Sequence, residues 1–174
     1  MKKAFSLIEL MIVIVIIGVI YTLAVSKLQN FDKEKLTPTL ANLKEYLQSY
    51  IKNDVKEVKL LCLDTCESCN VYVDGMKQQT NIEPFFDATV ELYRYDFLQG
   101  LVKKEPAAFF TKEGRQEDVC FSFSMGKDIV NEQLIAVYKE KAYDYTSYFT
   151  ATKVYEHIEE LVEAKENLVQ EVAR

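Results

Sequence analysis

Tryptophan is absent from the 174 residues, and histidine occurs once, at His157. A lone imidazole on a charged stretch has no relay partner, so His157 reads as a solvated surface residue rather than a general base. The five glycines form no phosphate-cradling loop, and no serine stands in a Gly-x-Ser-x-Gly turn; the common nucleotide-binding and hydrolase signatures find no match. Asp64, Asp74 and Asp87 lack the spacing of an EF-hand loop, which leaves calcium without a motif. Positive charge is also short: Lys+Arg number 21 against 27 Asp+Glu, a net charge of -6. No basic stripe interleaved with aromatics offsets this, and nucleic acid is not expected as a partner. The shortages together point away from an enzyme, and no cofactor is expected.

What the chain does have is an apolar opening, "MKKAFSLIELMIVIVIIGVIYTLAV". From Phe5 to Ser26 the only charge is Glu9, and those residues as a helix would measure about 33 Å, close to the thickness of a bilayer's hydrocarbon core. Lys2 and Lys3 precede the run, while Asp32 and Glu34 follow Lys27. By the positive-inside rule the N-terminus should stay cytoplasmic and the bulk of the chain be exported. A cleavable secretory signal with Ala24 and Ser26 at its exit accounts for the basic start and apolar core but not for Glu9. An ordinary single-span anchor leaves Glu9 equally unexplained, since an acidic residue within the membrane costs roughly 2.5–3.5 kcal/mol at the centre of a helix. A buried helix in a soluble protein would need apolar surroundings on all sides, which the remainder of the chain does not supply.

A fourth reading gives Glu9 a partner. A cut between Ala4 and Phe5 would create an α-amino group four positions before Glu9, at the same depth in a laterally packed neighbour. Two unit charges about 4 Å apart interact by about 4 kcal/mol at an effective dielectric near 20, which offsets the desolvation of the carboxylate and penalises misregister. The short basic leader, small residue, Phe, Ser, Leu, Ile, Glu and long apolar run resemble the N-terminus of type IV pilins and the pseudopilins of type II secretion. That resemblance implies cleavage by prepilin peptidase between Ala4 and Phe5, N-methylation of Phe5, and an assembly role for Glu9. Ala4 stands where Gly is usual in the family.

After Ser26, Leu28, Phe31, Leu36, Leu40, Leu43, Leu47, Tyr50, Ile51 and Val55 recur at three- and four-residue spacing, with Lys33, Lys44, Lys52 and Lys56 between them. This is the pattern of a helix burying one face, kinked or restarted at Pro38. From Val58 onward, "VKLLCLD", "CNVYVDG", "ATVELYRYD", "DVCFSFSMG" and "EQLIAVYKE" alternate with turn signals and predict four or five antiparallel strands. In the fourth of these, Val119, Phe121 and Phe123 alternate with Cys120, Ser122 and Ser124, so one face should be buried against the stalk helix. A short helix is expected around Asp96 to Val102. At the C-terminus Ile158, Leu161, Val162, Lys165, Leu168, Val169 and Val172 share one face of an amphipathic helix.

Cys62, Cys66, Cys69 and Cys120 lie in the part expected outside the cytoplasm, where disulfides persist. The expected pairing is Cys66 with Cys69 and Cys62 with Cys120, although four cysteines allow three connectivities. The run "CLDTCESC" also has the Cys-x3-Cys-x2-Cys spacing of radical S-adenosylmethionine enzymes and the Cys-x2-Cys spacing of redox pairs, but it lacks their large barrel and their βαβ setting. A four-cysteine zinc site lacks the usual two close pairs, so no metal is expected.

The fold expectation is therefore α+β and pilin-like: a long N-terminal helix, half transmembrane and half amphipathic, packed on a small antiparallel sheet and followed by a C-terminal amphipathic helix. The divisions are a leader at 1–4, a transmembrane and assembly helix at 5–26, a stalk at 27–57, an exported β-rich domain at 58–150 and the last helix at 151–174. The functional expectation is a single-pass inner-membrane subunit that enters a pilus or pseudopilus fibre after processing. Its expected partners are prepilin peptidase, other pilin or pseudopilin subunits and an inner-membrane assembly platform. The alternative is a singly anchored periplasmic binding protein with a disulfide-linked domain, followed by an exported cysteine redox enzyme.

Overall fold

The computed structural model describes residues 7–31, 36–52, 54–80, 82–105, 108–110, 114 and 116–172; within the first helix, side chains are described at Ile8 and from Leu10 to Tyr21. The chain divides into two compact units, Met1–Leu36 and Thr37–Arg174. In the first, α1 runs from Leu7 to Phe31.

The second unit contains a short helix α2, Leu43–Gln48, and ten strands among the described residues, all paired antiparallel. One sheet is built from β1 (Glu57–Leu63), β2 (Ser68–Val73), β3 (Met76–Lys77), β6 (Ala108–Phe110) and β7 (Gln116–Gly126), in the order β3-β2-β1-β7-β6. The other is built from β4 (Glu91–Asp96), β5 (Gly100–Lys103), β8 (Ile135–Tyr138), β9 (Lys141–Asp144) and β10 (Lys153–Tyr155), in the order β10-β9-β8-β4-β5. Helix α3, Ile158–Val172, closes the described chain.

The strand periodicity explains where the core lies. Val119, Phe121, Phe123 and Met125 of β7 are all buried, while the residues between them are half-buried, as expected of a strand that has one face inward. Val58, Leu60 and Cys62 of β1 and Val71 of β2 join them. Leu43 and Leu47 of α2 also enter this core, as do Leu134, Ala136 and Tyr145 from the second sheet and the segment after it. The Phe123 and Tyr145 ring centroids are 4.7 Å apart. The Tyr145 hydroxyl, fully buried, donates to the Leu40 carbonyl oxygen at 2.5 Å, which satisfies a polar group that would otherwise be costly to bury.

A second, smaller core consists of Ile135 and Ala142 on the other face of β8 and β9, capped by Leu161 of α3. One turn further along α3, Lys165 forms an ion pair of 2.6 Å with Asp144, whose side chain is only 2% exposed. Asp144 also accepts from the Thr146 amide at 2.9 Å and the Thr146 hydroxyl at 2.6 Å. Thus α3 docks through the buried Leu161, the half-buried Ile158 and the Lys165 ion pair, and Glu159, Glu160, Glu163, Glu166 and Glu171 face solvent.

Several expectations need correction. Among its described residues, the amphipathic stripe over 27–57 is helical up to Phe31 and again from Leu43 to Gln48; 36–39 are irregular and 40–42 form a turn. Besides Pro38, the cause is a reciprocal clasp in which the Thr39 amide donates to Asn42 Oδ1 at 2.7 Å and the Asn42 amide donates to Thr39 Oγ1 at 3.2 Å. Such side-chain bonds compete with helical ones. The helix expected around Asp96–Val102 is instead the β4–β5 hairpin. Asp96 Oδ1 accepts the Leu98 and Gln99 amides at 2.8 and 3.0 Å, and Gly100 takes a φ of 73°, together closing a turn. The four or five expected strands become ten, because short segments such as Met76–Lys77, Gly100–Lys103 and Lys141–Asp144 pair back on the strand just before them through tight turns. "KVY" in the expected 151–174 helix likewise forms β10 on β9 before α3 begins.

Removing the countercharge of Asp144 leaves a buried carboxylate. Lys165→Met should therefore destabilise the full chain by about 3 kcal/mol, read from the shift in urea midpoint in detergent. Glu166→Gln, on the solvated face of α3, should stay within about 0.5 kcal/mol of the parent.

Candidate assembly helix and disulfide cluster

The hairpin β1–β2 places Cys62 directly opposite Cys69 in its register, with Cα atoms 4.1 Å apart, and these two form one disulfide. Between the strands, Cys66 sits in the turn at a φ of 65° with its amide donating to the Leu63 carbonyl at 3.0 Å. It forms the second disulfide, with Cys120 of β7, across a Cα separation of 5.5 Å. This connectivity overturns the expected Cys66–Cys69 and Cys62–Cys120 pairing. The reason is a register shift between Cys62 and Leu63: Cys62 faces Phe121, Leu63 faces Val119, and Cys120 is the extra residue between them. A β-bulge re-aims a side chain, and here Cys120 meets the turn rather than Cys62. Cys66 and Cys69, spaced like a redox pair, belong to different disulfides, and all four sulfurs are bonded to one another.

Helix α1 is unlike anything in the second unit. Its described side chains, Ile8 and Leu10 to Tyr21, are apolar around the full circumference, and the large ones are each at least 42% exposed. A helix that is hydrophobic on every side belongs in apolar surroundings. Its many Ile and Val residues have modest helix propensity in water, whereas in an apolar medium a helix keeps every backbone group bonded within its own segment. Among the described residues no helix is long and apolar enough to cross a membrane: the described side chains run unbroken only from Leu10 to Tyr21, about 18 Å of helix against about 30 Å of hydrocarbon.

Residues 1–25 match the prokaryotic N-terminal methylation motif. This motif is the hallmark of type IV pilins and pseudopilins, and proteins that carry it are structural rather than enzymatic. No curated protein and no solved structure matches the chain. The motif implies processing by prepilin peptidase and assembly with other pilin subunits. Of the residues singled out within the motif, Ala4 and Phe5 lie outside the described residues. Glu9 falls in the first turns of α1, and its side chain is likewise outside them.

Two charged residues outside the methylation motif were missed by periodicity. Lys44, which lies between apolar positions in sequence, is 4% exposed, and its Nζ donates to the carbonyl oxygens of Ser147 and Thr150, the latter at 2.6 Å. Burial holds its ammonium below the usual lysine range, even with Glu45 and Asp144 nearby favouring the charge. Asp144 is the other, buried beneath α3. Their burial is set by elements outside their own strand or helix: the 147–150 segment for Lys44 and α3 for Asp144. His157 is exposed beside the start of α3.

Loop length ranks the two disulfides. Replacing Cys66 and Cys120 together by Ala, with a sequence separation of 54, should cost about 4 kcal/mol in the loop-entropy description, against about 2 kcal/mol for Cys62 and Cys69, with a separation of 7. Denaturant midpoints of the two double variants measure the difference, and non-reducing peptide mapping of the parent should recover Cys66 joined to Cys120.

Proposed function

We propose that the chain is a structural subunit of a type IV pilus-like or type II secretion pseudopilus fibre. The observation that carries this reading is the coincidence of the methylation motif over residues 1–25 with a helix that is apolar on every described side. In this reading residues 1–4 are the leader, residues 5–26 span the inner membrane, and Lys2 and Lys3 hold the N-terminus in the cytoplasm. Residues 27–57 link the span to a periplasmic domain whose two disulfides suit an oxidising compartment. An inner-membrane assembly platform receives the processed subunit and passes it into the fibre.

The chemistry lies at the N-terminus. Prepilin peptidase cuts between Ala4 and Phe5, and N-methylation leaves the Phe5 amine cationic. Glu9 is costly in an isolated subunit because its carboxylate has lost water. In the fibre it meets the Phe5 amine of a neighbour, and the attraction of about 4 kcal/mol at an effective dielectric near 20 offsets that cost. The same pairing fixes the axial register of one helix against the next.

Mass spectrometry of the mature protein should find N-methyl-Phe5 as its first residue. An intact Met1 would replace this reading with a singly anchored periplasmic protein, and a start near Lys27 with a secreted one. Glu9→Val should insert and be cut normally, yet losing even half the pairing, about 2 kcal/mol, lowers the assembled fraction about thirtyfold. Immunoblots of sheared fibres against membranes read that ratio, and unimpaired assembly of the variant would remove the carboxylate from the mechanism.

A further inference from the structure

We propose that Cys62, Cys66 and Cys69 form a self-correcting exchange cluster in which the hairpin selects Cys62–Cys69, leaving Cys66 as a waiting thiol that closes last, onto Cys120. The inference draws on the exported topology above only for the source of oxidant. Three cysteines crowd the β1–β2 hairpin, and only one pair among them faces across the strands. Cys66 is held in the turn that joins the two strands, three residues from Cys69 and four from Cys62 in sequence, with the Cys69 sulfur 3.7 Å from the Cys66 carbonyl oxygen, so the three cysteines share one short loop while the hairpin forms. Its eventual partner is far away in sequence. Cys120 reaches the turn only once β7 has paired with β1, because it is the bulge in that pairing which aims it. The Asp64 amide, donating to the Asp118 carbonyl oxygen at 2.9 Å, docks the same turn onto the same stretch of β7.

Closing a short loop is entropically cheaper than closing a long one, and here the separations are 7 and 54; the first bond within the hairpin oxidises two thiols and reduces one external disulfide to two thiols. A first, non-native Cys62–Cys66 bond is corrected without any oxidant: the Cys69 thiolate attacks the Cys62 sulfur, the Cys62–Cys69 bond forms, and Cys66 leaves as a thiolate. The final closure consumes one external small-molecule or protein disulfide. The Cys66 thiolate attacks it, forming a mixed disulfide and releasing one thiol; the Cys120 thiolate then attacks the Cys66 sulfur and releases the second. Two cysteine thiols are oxidised and one external disulfide is reduced. The last bond thus staples the hairpin to β7 only after that strand has paired with β1, so the fourth cysteine reports that pairing.

The test uses the purified full chain in detergent, reduced and then reoxidised with glutathione disulfide, with free thiols alkylated at intervals and mapped without reduction. In the parent, Cys62–Cys69 should accumulate first, with Cys66 and Cys120 both alkylated. An intermediate dominated by Cys66–Cys120 with Cys62 and Cys69 free would overturn the order. In Cys120→Ser the end point should leave Cys66 outside any protein disulfide, alkylated or capped by glutathione, and in Cys66→Ser it should leave Cys120 so. A majority of chains with Cys66 bonded to Cys62 or Cys69 in the first variant, or Cys120 bonded to either in the second, would overturn the selection by the hairpin. The parent time course stands even where a variant fails to fold. Since all reagents are supplied in vitro, failure here leaves the fibre reading untouched, and an intact Met1 in cells leaves the closure order untouched.

Discussion

The pairing of β7 with β1 is the constraint on which the second unit depends. Val119, Phe121, Phe123 and Met125 line one side of β7, and Val58, Leu60 and Cys62 line the same side of β1. Every other component of the main core approaches this surface: α2 with Leu43 and Leu47, Phe86 with its ring centroid 4.9 Å from that of Phe121, and Tyr145 against Phe123. The β-bulge in the same pairing decides the disulfides, since it alone turns Cys120 towards Cys66. One local irregularity therefore sets both the covalent and the non-covalent ties of the sheet.

Two charged side chains, Lys44 and Asp144, are buried in the second unit, and each has polar partners. Lys44 clasps the 147–150 segment by two carbonyl oxygens, and Asp144 joins Lys165 to Thr146. The first contact pins a segment without a regular strand or helix, where backbone bonding alone leaves carbonyls to be satisfied; the second ties α3 to the end of β9. Helix α1 follows the opposite logic. Its described surface is apolar in every direction and makes sense only in surroundings that the chain itself does not provide. In the reading proposed above, these two parts answer the two demands on a fibre subunit: a stable exported body, and a segment whose partners are lipid and other copies.

Much of this was legible in the residues. The methylation motif combines a short basic leader, a small residue, Phe5 and Glu9 at a fixed interval, all within a single continuous stretch, so no fold is needed to see it. The inward face of β7 was equally plain, because a period of two in Val119, Phe121 and Phe123 has one interpretation. The stalk stripe was misleading: its period is helical, yet the clasp between Thr39 and Asn42 leaves only Leu43–Gln48 helical after Pro38. Lys165 was placed on the apolar face of α3, and it is there, but as half of a buried ion pair rather than as a long aliphatic stem.

What the linear chain determined on its own was whatever depends on neighbours in sequence: the processing motif, the apolar circumference of α1, the alternation of β7 and the amphipathic face of α3. Tertiary structure alone decided the rest. Which cysteine meets which depends on a register shift between strands some sixty positions apart. Whether Lys44 and Asp144 are solvated or buried depends on where the 147–150 segment and α3 come to lie. Short-range patterns record the local preferences of a backbone, whereas contacts across a core are chosen by the register that buries the most apolar surface, and that choice is made by the whole fold at once.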